Sequence, residues 1–124
     1  IMKIIGVANQ KGGVGKTTTV MNMAAGLVRK GKKILCIDFD PQGNLSDYLG
    51  HQADGISDIS ELMLSESRMQ SYDLTGIIRK NNEGIDYIPS SIALAGADMF
   101  LAQAMCREQV LKRILKHELF QEYE

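Results

Sequence analysis

Apolar positions change their spacing several times along this chain, and each change marks an element. Residues 3–8, Lys-Ile-Ile-Gly-Val-Ala, form a β-branched run that stops at polar Asn9 and Gln10 and a glycine-rich turn. That pattern predicts a buried strand opening into a loop. From Lys16 onward Val20, Met23, Ala24, Leu27 and Val28 fall at helical spacing, and the stripe ends at Arg29, Lys30 and Gly31. Basic residues followed by glycine suit a helix C-terminus. Residues 33–38 are a second continuous apolar run, closed by Asp40-Pro41-Gln42-Gly43. Strand, helix and strand in this order predict a right-handed parallel crossover.

Beyond residue 50 the pattern is weaker. Ile56, Ile59, Leu62 and Met63 repeat at helical spacing behind Ser57, a candidate cap, while residues 65–73 are polar and read as loop. Residues 74–79 suit a helical turn, 81–84 (Asn-Asn-Glu-Gly) a chain reversal, and 85–88 before Pro89 a third short strand. Leu94, Leu101, Ala104, Met105, Leu111, Ile114, Leu115 and Leu119 then trace one stripe of a long amphipathic helix.

Composition narrows the class. The 124 residues are 44% hydrophobic, enough for one small domain with a core. Fourteen basic against 15 acidic side chains leave a net charge of −1, so these residues supply no broad basic field for DNA. Cys36 and Cys106 are far apart, lack a CxxC spacing and sit in apolar patterns, which predicts two small buried hydrophobes in a reduced, cytoplasmic setting. No apolar stretch approaches the roughly 20 residues of a membrane span. His51 and His117 have no metal-ligand spacing, and Met63, Met99 and Met105 read as core filling.

The chemistry concentrates between the first strand and the first helix. A polyphosphate is met well by free amides at a helix N-terminus and by the positive end of the helix dipole. Gly12, Gly13 and Gly15 let the main chain turn close to phosphate oxygens, Lys16 reaches the β- and γ-phosphates, and Thr17 is placed for Mg²⁺. The usual pattern GxxxxGK[ST] requires glycine where this chain has Gln10, and a lysine follows at position 11. Asp38 and Asp40, two apart at the end of the second predicted strand, would lie on one face by strand alternation.

The segment from Lys11 to Thr19, with its early lysine, resembles the deviant Walker A box of the group that holds ParA, MinD and the nitrogenase iron protein. Residues 34–44, ending Asp40-Pro41-Gln42-Gly43-Asn44, resemble the second box of ParA/Soj proteins specifically, and residues 88–98 resemble the ParA segment before its long helix. The resemblance spans nearly the whole chain, least clearly over residues 50–82. It implies an α/β fold, a parallel phosphate-loop NTPase-like sheet with flanking helices, of which residues 1–124 would be the N-terminal part of one domain. It implies Mg-dependent ATP binding and hydrolysis in plasmid or chromosome partitioning, with an ATP-dependent homodimer, a ParB-like partner and non-specific DNA, cytoplasmic and nucleoid-associated, with no membrane. Gly12, Gly13, Val14, Gly15, Lys16, Thr17 and Thr18 would bind nucleotide. Lys11 would reach the partner's ATP, Thr17 and Asp38 would serve Mg²⁺, and Asp40 would position or activate water.

Proteins of that group continue into an apolar strand ending in aspartate, the Walker B box, which these residues do not contain. The sequence therefore resembles an N-terminal fragment, and residues 3–8 would present an unpaired edge open to self-association. Two functions stay open: a partition ATPase module, or a catalytically inactive module that binds nucleotide or associates without turnover. Electron transfer of the iron-protein kind is disfavoured, because Cys36 falls in a predicted buried strand and Cys106 has no partner cysteine here.

Overall fold

The computed structural model of the chain describes residues 2–8 and 15–124. Helix α1 spans Lys16–Arg29 and ends as the glycine signal predicts. Gly31 adopts φ 78°, and its amide closes on the Val28 carbonyl at 2.9 Å, a left-handed reversal that a side chain would strain. The chain then enters β1, Leu35–Ile37. A short helix α2, Asn44–Tyr48, follows, then α3, Ile59–Ser67. Strands β2 (Arg79–Lys80) and β3 (Asp86–Ile88) come next, and helices α4 (Ala97–Ala102) and α5 (Val110–Leu115) lie between 3-10 turns.

The sheet has the order β1-β3-β2. β1 and β3 are parallel, with Cys36 opposite Tyr87 and Ile37 opposite Ile88, whereas β2 runs antiparallel to β3. The parallel pairing expected is present between β1 and β3, and β2 adds an antiparallel edge strand. The reversal at 81–84 is the reason: Asn81 Oδ1 accepts from the amides of Glu83 and Ile85, and Gly84 takes φ 79°, so the chain folds straight back as a hairpin. Side-chain alternation splits the core in two. Leu35, Ile37 and Ile88 join Ile59, Leu62, Met63, Ile77, Val110, Ile114 and Phe120 under α3 to α5. Cys36, Ile85 and Tyr87 join Ala24, Leu45 and Leu49 under α1 and α2.

Several expectations are corrected. Residues 2–8 are not a strand, and Ile4 and Ile5 are two-thirds exposed. A β-branched run needs a neighbouring strand to complete its ladder, and among the described residues the sheet offers residues 4–8 none. The segment is tied in at its start: Met2 packs against the core, the Lys3 amide donates to the Glu124 main-chain oxygen at 2.6 Å, and the Glu124 amide donates to the Lys33 carbonyl at 2.9 Å. The Lys33 amide returns a bond to Glu124 Oε1, and Lys32 pairs with Oε2. The single helix expected over 94–119 is broken where Cys106 takes φ 53° between α4 and a 3-10 turn at Arg107–Gln109. Its apolar stripe survives because Leu94, Leu101, Leu111, Ile114 and Leu115 reach the same core from separate pieces. Cys106, Met99 and Met105 are exposed rather than buried. α3 is capped by Asp58, which accepts from the Ser60 and Glu61 amides, while Ser57 instead donates to Glu61 Oε2. α3 also runs to Ser67, into the polar stretch read as loop, and residues 74–79 hold a turn leading into β2. No helix among the described residues is long and apolar enough to cross a membrane.

Candidate functional site

The start of α1 is built for an anion. Gly15 precedes the helix at φ 89°, ψ 17°, where its carbonyl accepts from the Thr19 amide, and among the described residues no side chain caps the helix or places an acid in its first turn. A Cβ on Gly15 would meet nothing within 4 Å, so glycine is required there by the backbone angle and not by space. First-turn amides of a helix have no acceptor inside the helix, and they point out along the positive end of the dipole. Lys16, Thr17 and Thr18 occupy this turn, half-buried in the first two cases and exposed in the third. Lys11, Gly12, Gly13 and Val14 lie outside the described residues.

The first turn of α1 shares one cleft, of about 1000 Å³, with residues 2–8, β1 and the loop after it; Asp38, Asp40, Pro41 and Asn44 are among its lining residues. Asp38 is buried at the end of β1, its amide held by the Ile88 carbonyl at 3.1 Å. Its Oδ1 accepts from the Asp40 amide at 3.0 Å, and its Oδ2 accepts from the Ser46 amide and hydroxyl at 2.9 and 2.6 Å. Both carboxylate oxygens are therefore engaged within the chain, which suits an organising role next to a metal shell better than direct ligation. Asp40 differs. One oxygen accepts from the Gln42 amide at 3.0 Å, and the other has no protein partner among the described residues. β1 ends at Ile37, so the two aspartates lie just past the strand; both line the cleft, and they are linked through the Asp40 amide.

These groups fit a magnesium polyphosphate. No cluster of three or more His, Cys, Asp or Glu among the described residues could hold a metal unaided. Mg²⁺ commonly takes one or two protein ligands plus phosphate oxygens and water, and the cleft supplies a hydroxyl, a carboxylate oxygen and an uncapped helix start. Cys36 adds no reactivity: burial pushes its thiol up to about 11, so it stays protonated. Ser46 is a residue the sequence reading missed, and Asn44 and Tyr48 also line the cleft unassigned. Asn44 stood within the motif, but nothing in the sequence marks Ser46 as a partner of Asp38.

Comparison with known proteins agrees. A family described as an AAA domain matches residues 2–124. The chain is similar to the sporulation initiation inhibitor protein Soj of Bacillus subtilis, 42% identical over 116 residues, covering 92% of this chain and 44% of that one. It is equally similar to the chromosome-partitioning ATPase Soj of Treponema pallidum, 42% identical over 113 residues, covering 91% and 42%. Among solved structures, cobyrinic acid a,c-diamide synthase of Mycobacterium smegmatis with bound ADP and magnesium superposes with a TM-score of 0.82 at 38% identity, covering 94% of this chain and 46% of that one. The chain thus spans less than half the length of the relatives it matches. With a family match over nearly all its residues and 42% identity to two Soj proteins over more than nine-tenths of its length, the chain belongs to the AAA-domain family as a ParA/Soj-type member.

Proposed function

We propose that the chain forms the nucleotide-binding part of a ParA-like, Mg-dependent ATPase acting in plasmid or chromosome partitioning through ATP-dependent dimerisation. The supporting observation is one cleft whose lining includes both the first turn of α1 and Asp40. Bound Mg²⁺ would supply charge neutralisation for the phosphates, with Thr17 as its hydroxyl ligand and Asp38 acting through its hydrogen bonds. The first-turn amides and the Lys16 ammonium hold phosphate oxygens and offset their charge. Asp40, one of whose oxygens has no protein partner among the described residues, orients the attacking water and accepts its proton. Lys11 provides the second cation, in trans, at the partner's phosphates. A homodimer, a ParB-like partner and non-specific DNA complete this reading, in the cytoplasm and on the nucleoid. The M. smegmatis relative carries a different activity in its name but also binds ADP and magnesium, so the nucleotide is the shared element.

Isothermal titration tests the site. Lys16→Ala is expected to lose a charge-assisted contact of about 1.5–3 kcal/mol, which weakens ATP about tenfold or more. Equal affinity in the two proteins would remove the assignment. One observation favours the binding-only alternative for these 124 residues: residues 2–8, which lead into the phosphate loop, are not fixed in the sheet. In-line transfer needs water, metal and phosphate held together. Phosphate release with Mg-ATP separates the two readings, since the alternative keeps affinity and shows no turnover.

A further inference from the structure

We infer that Ser46 is a positioning residue for hydrolysis, acting through Asp38 on the loop that presents Asp40; this rests on the role of Asp40 proposed above. Asp40 stands in a turn closed by its own atoms, its carbonyl accepting from the Gly43 amide at 2.9 Å and its carboxylate from the Gln42 amide. Such a turn fixes its own shape but not its place. Its place is set by Asp38, whose Oδ1 holds the Asp40 amide while its Oδ2 is held by Ser46. The Ser46 hydroxyl does two jobs: it donates to Asp38 at 2.6 Å and accepts from the Ser90 amide at 3.1 Å. It thereby joins the end of β1, the first turn of α2 and the chain just after β3.

Ser46 is only 3% exposed and Asp38 equally so, which keeps water from replacing these bonds. Removing the hydroxyl leaves the Ser90 amide without its acceptor and Asp38 with a single donor on Oδ2. Among the described residues the buried Ser90 hydroxyl also has no hydrogen-bond partner, so the cluster around Asp38 and Ser46 is not fully satisfied even with the Ser46 hydroxyl present. Asp40 is one hydrogen bond from this join. A shift of its carboxylate by a fraction of an ångström affects the reacting geometry and leaves the α1 phosphate contacts untouched.

The test is steady-state hydrolysis by the complete protein, below its melting temperature, alongside nucleotide titration. Ser46→Ala is expected to lower kcat about tenfold, because misplacement by about 1 Å can cost about a hundredfold and the shift here is a fraction of that. KM and nucleotide affinity should stay within about twofold, the signature of an interaction used only in the transition state. Ser46→Thr, which keeps the hydroxyl, should restore most of kcat. If the alanine variant does not fold, Ser46→Cys keeps the volume with a much weaker donor and carries the same expectation. Wild-type kcat in the alanine or cysteine variant, or a change confined to KM, overturns the inference alone. Absence of phosphate release from the wild-type protein removes it together with the proposed activity.

Discussion

Asp86 lies opposite Leu35 in the sheet with almost no exposure, yet three groups converge on it: Lys80 at 2.6 Å, the Tyr123 hydroxyl at 2.8 Å and Lys33 at 3.5 Å. Burial alone would raise its pKa, but the bonds from Lys80 and Tyr123 and the charges of Lys80 and Lys33 outweigh it and hold the carboxyl below its ordinary 3.8. Tyr123 moves the other way, its phenol pushed up by burial and then by the Asp86 charge. A carboxyl lowered by folding stabilises the native state above its unfolded pKa, and that contribution is lost as pH falls through the folded one. Tyr123→Phe is therefore expected to cost about 1–3 kcal/mol near neutral pH, with the deficit narrowing below about pH 4 as Asp86 takes a proton. Urea midpoints at both pH values check this, and a deficit independent of pH would assign the effect to packing. Neither this cluster nor Ser46 was legible in the sequence, because each joins residues tens of positions apart. Lys16, Thr17, Thr18, Asp38 and Asp40 could be singled out as candidates because they sit in two contiguous strings whose order itself suggests the chemistry, and all five line the one cleft. Residue type misled at Met99, Met105 and Cys106, which are apolar in kind but lie where the chain turns outward.

Elements follow the same division between local and distant causes. α1, β1, β3 and the reversal at 81–84 were legible, since period, glycine and asparagine act within a few residues. α2 was missed because five residues give no period, and β2 because a two-residue strand exists only through its pairing with β3. The break between α4 and α5 left the apolar stripe intact and so left no mark. At the start of α3 the sequence pointed to Ser57 as the cap, and the backbone gives the role to its neighbour instead: Asp58 has the extended angles of a cap, φ −119° and ψ −174°. Asp58→Ala is expected to cost about 1 kcal/mol, the usual worth of an N-cap, while Ser57→Ala loses only an exposed bond to Glu61. Chemical denaturation of both variants tests the order, and equal losses would place the cap elsewhere.

Across the whole molecule, α1 and α2 cover one face of the sheet and α3 to α5 the other, so the sheet centre at Ile85 and Ile88 is fully buried. The cleft between residues 2–8, α1 and β1 is fastened at its boundary by Glu124, which reaches Lys3 on one side and Lys33 on the other. That fastening has a consequence in time. Amides held by a few bonds near the surface exchange with solvent through small openings, whereas those of a buried strand wait for unfolding of the whole. Deuterium uptake is expected to begin at Lys3, Lys33 and Glu124 well before it reaches Tyr87 and Ile88. Glu124→Ala, which withdraws the carboxylate that accepts from the Lys33 amide, should quicken exchange at Lys33 and leave the β3 amides at their former rate. Equal acceleration at both places would mean that this corner and the central strand open as a single cooperative unit.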